Sequence, residues 1–187
     1  MRYFGRVFLA GIAVAGAALA QSNSYPAQWD VQRLVDALVQ EAQRLPPILE
    51  QANPAQWNDA AAGQSYQAQW KAAQNEIQYF TGSARSFSKQ PEKMPLALET
   101  YFRMEAMEAS LGSLAQGIRR HHNPAVADLL QGVMTENSNN RERLKQYLTD
   151  LATAKEQEFQ IADREAQRCR SAITHQPPAP SRSRKQE

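Results

Sequence analysis

Cysteine is almost absent from this chain: Cys169 is the single copy among 187 residues. A disulfide-stapled exported domain needs an even set, so the fold must rest on packing. No Asn-x-Ser/Thr triplet occurs either, which weakly favours a bacterial envelope over a eukaryotic secretory route. No stretch alternates apolar and polar residues with period two, and no Asn-Gly or Asp-Gly turn separates β-branched runs. Both absences argue against a sheet. Chemical motifs are missing too. There is no Cys-x-x-Cys-His for covalent haem, no Glu-x-x-His for a di-iron bundle, no nucleophile elbow and no Gly-rich phosphate loop.

What is present begins at the N-terminus. Arg2 and Arg6 precede an uncharged run from Val7 to Ala20 that ends Ala18-Leu19-Ala20. Basic residues, a short apolar run and small residues three apart predict a secretory signal peptide over residues 1–20, with the cut after Ala20. The run is short for a permanent span, so contact with the membrane is expected only transiently, during export. The expected location is periplasmic or secreted. No cysteine follows the run to carry a lipid. Losing Arg2 and Arg6 would leave nineteen basic against nineteen acidic residues, a formally neutral chain. Nucleic-acid partners require a basic surplus or stripe, so none is expected.

The remainder reads as helix. Val31, Leu34, Val35, Leu38, Val39, Ala42 and Leu45 form one apolar stripe, ended by Pro46-Pro47. Tyr66, Trp70, Ala73, Ile77, Phe80, Ala84 and Phe87 form a second, with steps alternating four and three. That alternation is a heptad seam. Trp57 is placed as an earlier start of this helix, with Gly63 as a weak point in its continuity. Met104, Met107, Leu111, Leu114 and Ile118 form a third stripe, extended toward Pro95 through Tyr101 and Leu98. The fourth runs Val126, Leu130, Val133, then Leu144, Tyr147, Leu151, Ala154, and on through Ile161 to Ile173. Asn137 and Asn140 fill the seam positions between.

Asn53-Pro54 and Asn123-Pro124 match an asparagine cap followed by proline at the first helical position. The run Thr135 to Asn140 favours caps and turns over helix interior, which leaves one bent helix or two helices over 124–173. Short connections favour antiparallel neighbours. The expected fold is an all-α, antiparallel up-down bundle of about four long helices with coiled-coil-like seams. It spans residues 21–175, followed by a disordered Pro/Arg-rich tail at 176–187.

Candidate sites are few. His121 and His122 are adjacent at a helix end and do not share a helix face, which makes them a poor chelating pair. Met104 and Met107 read as core fillers, and Glu105 and Glu108 as the solvated edge of an amphipathic helix. Cys169 falls beside the fourth seam, as a small buried side chain. As a lone thiol in an exported chain, it is also the candidate for an intermolecular disulfide. Trp57, beside a turn, is the candidate exposed contact residue.

No catalytic residues, metal ligands or cofactor are assigned, and an enzyme is not expected. The function expected is that of a non-catalytic envelope protein acting through protein–protein contacts, as a scaffold or chaperone-like holder. Its partners would be other envelope proteins or copies of itself. The alternative is a periplasmic carrier of a ligand, haem or metal held between helices, with Met104, Met107, His121 and His122 as discriminating residues.

Overall fold

The computed structural model describes residues 28–174, with no strand among them. The expected signal peptide and the tail from 176 lie outside the described residues. Helices α1 (Gln28–Ala42), α2 (Leu45–Gln51), α3 (Ala60–Lys89), α4 (Met94–His121), α5 (Pro124–Glu136) and α6 (Ser138–Thr174) follow in order. A 3-10 turn at Pro54–Gln56 links α2 to α3.

These helices stack as four columns. The first is α1 followed by α2, the second α3, the third α4, and the fourth α5 followed by α6. Each column packs on two neighbours: α3 on α1 and α4, and the fourth column on α4, α1 and α2. This is an all-α helical bundle, as the seams predict.

The seams supply the core. In α3, Ala73, Ile77, Phe80, Ala84 and Phe87 are buried; in α4, Met104, Met107, Leu111, Leu114 and Ile118 are. Burying each large apolar side chain contributes roughly 1.5–3 kcal/mol. The extension of the α4 seam differs from the sequence reading. Thr100 and Ala97 continue it, both fully buried, while Leu98 is exposed. Thr100 fits because its hydroxyl donates to the Leu96 carbonyl at 2.8 Å, so no polar atom is left orphaned.

Local chemistry sets the helix ends. Asn123 accepts from the Ala125 N–H at 3.0 Å with Pro124 following, as expected. Asn53 makes the same bond to Ala55, but it caps only the 3-10 turn. The long helix α3 is capped instead by Asp59, which accepts from the Ala62 N–H at 3.0 Å. Gly63 does not weaken α3; it lies inside it, where the Pro54 carbonyl oxygen would stand 2.3 Å from an added Cβ. The glycine permits the close approach of turn and helix.

The fourth column is interrupted at one residue. Asn137 keeps helical angles (φ −78°, ψ −13°). Its N–H reaches the Val133 carbonyl at 3.3 Å, and its own carbonyl accepts from the Arg141 N–H at 3.0 Å. The chain therefore passes from α5 to α6 through a single-residue break. Asn137 is buried, at 4 % exposure, as its seam position implies.

Candidate interaction surface

The bundle seam of α6 ends at Ala154. Leu144, Tyr147, Leu148, Leu151 and Ala154 are buried, and every residue from 156 to 174 is exposed. The sequence reading carried the seam on to Ile161 and Ile173; these side chains are 52 % and 70 % exposed. The cause is length. Column four outruns its neighbours by nineteen residues, about 28 Å at 1.5 Å per residue. It leaves the bundle where α3 turns into α4, near the Tyr147 hydroxyl, which donates to the Pro91 carbonyl at 2.8 Å.

Local chemistry holds this projection helical. It contains no proline or glycine and is rich in Ala, Glu, Gln and Arg, which are good helix formers. Lys155 pairs with Glu158 at 2.8 Å, and Gln167 donates to Asp163 at 2.8 Å. Such i,i+3 and i,i+4 pairs contribute a few tenths of a kcal/mol each, about 0.2–0.5.

Cys169 lies on the projection and is exposed, which corrects its placement as a small buried side chain. Its accessibility is what a disulfide to a second chain requires. A further feature escaped the sequence reading. Phe159, Ala162, Ala166, Cys169 and Ile173 alternate three and four, a heptad seam of their own. It starts one residue after the phase of Leu144, Tyr147, Leu151 and Ala154, and so faces about 100° away around the helix. The signal is visible in the sequence only when the phase is tracked separately on either side of Ala154. Phe159 is 72 % exposed.

Trp57 is not an exposed contact residue; it is 5 % exposed. Its indole N–H donates to the Ala52 carbonyl at 3.0 Å. Its ring packs on Tyr66 (5.2 Å between centroids) and is near-parallel to His121 (6.3 Å) and His122 (5.9 Å). Trp57 belongs to the C-cap of the 3-10 turn rather than to α3. Trp70 acts alike, its indole donating to the Leu49 carbonyl at 2.8 Å. Two tryptophans thus donate to carbonyls at the C-terminal end of α2, that of Leu49, which also accepts from the Ala52 N–H, and that of the cap residue Ala52.

The histidines belong to this corner. His121 Nδ1 lies 3.3 Å from Asp59, an ion pair when the ring is protonated. His122 Nε2 lies 3.2 Å from the Gln51 carbonyl. The carboxyl of Asp59 is held below its usual range, first by the Ala62 N–H it accepts and then by His121. Met104 and Met107 are buried in the core. Along α4 they lie seventeen and fourteen residues from His121, about 25 and 21 Å. The fold does not bring these four residues into one ligand set. Among the described residues no group of three His, Cys, Asp or Glu side chains could hold a metal ion.

Glu105 is exposed, as expected of a solvated edge, but Glu108 is half-buried. Glu108 accepts from Arg141 of α6 at 2.7 Å. Burial raises the Glu108 carboxyl above its usual range, and Arg141 opposes that shift without cancelling it. Its second oxygen, like Oδ1 of Asn137, is buried without a hydrogen-bond partner. Arg44, between α1 and α2, and Glu136 of α5 form another ion pair, which links columns one and four at the surface.

Compared with protein families, curated proteins and solved structures, the chain finds no match.

Proposed function

We propose that this chain is an exported, non-catalytic helical-bundle protein of the cell envelope that acts through protein–protein contact, as a scaffold or a small holder of other chains. The observation that carries the reading is the projection at 156–174. It displays a separate apolar seam that the bundle does not use, with Phe159 and Ile173 at its ends. Ile161 is exposed too, on the opposite side of the helix, and exposed large apolar groups that no described element covers mark interaction sites. Export is supported by the pattern of residues 1–20, and no helix of the described residues is long and apolar enough to cross a membrane. No observation favours the ligand-carrier alternative.

The test is photo-crosslinking in an exporting host. Photoreactive residues replace Phe159 or Ala166 on the projection, and Lys71, exposed on α3, serves as the control. The expected result is protein adducts from the two projection sites and not from the control, on a product whose N-terminus is Gln21. A product that stays in the cytoplasm with residues 1–20 attached, or a projection that yields no adduct, contradicts the reading.

A further inference from the structure

Without residues 1–20 the chain is formally neutral, but its charge is not evenly placed. Residues 21–163 carry thirteen basic against seventeen acidic side chains. Residues 164–187 carry six basic side chains, Arg164, Arg168, Arg170, Arg182, Arg184 and Lys185, against Glu165 and Glu187. A body of net charge −4 is thus set against 24 residues of net charge +4. The fold holds the two apart. Arg164, Arg168 and Arg170 are exposed on the outer half of the projection. Arg182, Arg184 and Lys185 follow it in sequence, outside the described residues.

Structural roles do not account for the three described arginines. Cations stabilise a helix from its last turn, beside the free carbonyls, and the last turn of α6 holds none. Ion pairing along the helix is the other common role. Arg164 donates to the Gln160 carbonyl at 3.2 Å. Among the described residues none of the three pairs with a carboxylate, whereas Arg33, Arg44, Arg103, Arg119 and Arg141 of the bundle each do.

A second observation narrows the partner. Ile173, one residue before the end of α6, is 70 % exposed and stands three residues from Arg170. A soluble polyanion would engage the cations and leave this side chain in water. A bilayer with anionic headgroups takes both: its phosphates attract the cations, and the boundary between headgroups and acyl chains accepts the apolar side chain.

We infer that the tip of the projection docks on an anionic lipid surface, with Arg168, Arg170 and the basic side chains of 182–185 at the headgroups and Ile173 at their boundary with the acyl chains. This goes beyond the protein-contact reading, and either can fail alone. It adds a lasting contact to the transient one expected during export. The contact is peripheral, since no helix of the described residues is long and apolar enough to cross a membrane.

The length of the projection matters here. An anionic surface repels the acidic body, but at physiological salt that repulsion decays over about 8 Å. The projection holds the body about 28 Å away, so the tip feels the surface and the body does not. The same distances rank the arginines. Arg170 and Arg168 lie about 6 and 9 Å from Thr174 along the axis, and Arg164 about 15 Å.

The test is co-flotation of the exported chain with lipid vesicles. The chain should float with vesicles of equal parts phosphatidylglycerol and phosphatidylcholine, be released as salt rises, and stay behind with phosphatidylcholine alone. Arg168→Gln combined with Arg170→Gln should weaken binding about 10-fold or more. Lys71→Gln removes one charge from an exposed site on α3 and should change binding less than about 2-fold. Ile173→Ser should weaken binding to the anionic vesicles and leave binding to soluble polyphosphate unchanged. All these sites are exposed, so the helical circular dichroism should be retained. Failure to float with anionic vesicles, or equal flotation with neutral ones, overturns the inference. So does a loss with Lys71→Gln as large as that of the double variant, because the contact would then belong to the whole chain. Flotation that ignores Ile173→Ser, together with binding to polyphosphate, assigns the tip to a soluble polyanion and overturns the bilayer.

Discussion

The two halves of α6 share one helix and obey different rules. Up to Ala154 the helix is held by tertiary burial: Leu144, Tyr147 and Leu151 pack against α1 and α4. From 156 onward every residue is exposed, and helix propensity and local side-chain pairs such as Gln167 with Asp163 support it. An isolated helix of this length is marginal in water, so the projection depends on the bundled half of α6 that it continues. The comparison teaches that helix length and helix burial are separate properties. A chain keeps an unburied apolar seam only at a cost in solubility, and here that seam lies out of phase with the core.

Core truncation should break the symmetry of the comparison most strongly. Phe80→Ala removes a fully buried ring and should cost about 3–5 kcal/mol. Phe159→Ala should change the stability of the dilute chain by less than about 0.5 kcal/mol. Urea unfolding of both variants at low protein concentration checks the contrast; equal losses would mean that the projection folds as part of the core.

The glycines sharpen the same contrast on a smaller scale. Gly63→Ala drives a Cβ to 2.3 Å from the rigid Pro54 carbonyl and should destabilise by about 1–3 kcal/mol. Gly112→Ala meets nothing within 4 Å and should stabilise α4 by up to about 1 kcal/mol. Thermal midpoints moving in opposite directions would support this account of α3; a tolerated Gly63→Ala would contradict it.

The smallest expected effect is set by pH. Burial raises the Glu108 carboxyl above its unfolded value of 4.5. A carboxyl raised in the folded state contributes stability while it is protonated, and that contribution is lost as pH rises through the folded value. Glu108→Gln keeps a side-chain acceptor for Arg141 and removes the buried charge. The variant should therefore match or exceed the wild type by a few tenths of a kcal/mol at pH 7, and the difference should vanish below pH 4.5. A variant clearly less stable than wild type at pH 7 would show that the ion pair outweighs burial. Asp59 has the opposite sign. Its carboxyl is lowered by the Ala62 N–H, so its contribution is present above 3.8 and falls away as pH drops through the folded value.

Much of the bundle was legible because seam spacing is a direct consequence of helix geometry. The α3 stripe from Ala73 to Phe87 and the α4 stripe from Met104 to Ile118 fall on buried residues, Tyr66 and Trp70 are half-buried, and the Asn123-Pro124 cap stands where it was read. What was not legible depended on tertiary neighbours. Trp57 looked like a turn residue open to solvent, and only the approach of α2 carbonyls and of His121 and His122 explains its burial. Gly63 read as a breaker because its close neighbour, the Pro54 carbonyl, lies outside the helix. Leu98 and Thr100 exchanged roles, since a threonine that bonds its own helix carbonyl can enter a core. The contact surface was obscured for a different reason. The apolar pattern continues past Ala154, but periodicity does not say where the neighbouring helices stop, and Cys169 was assigned to a core that no longer reaches it.

The most direct measurement is amide hydrogen exchange along α6 in the purified chain. The account predicts slow exchange from Leu144 to Ala154, where the seam is buried, and fast exchange over 156–174, where every residue is exposed. Protection of 156–174 equal to that of the buried half would contradict the claim that two different sets of forces hold the two halves of this helix.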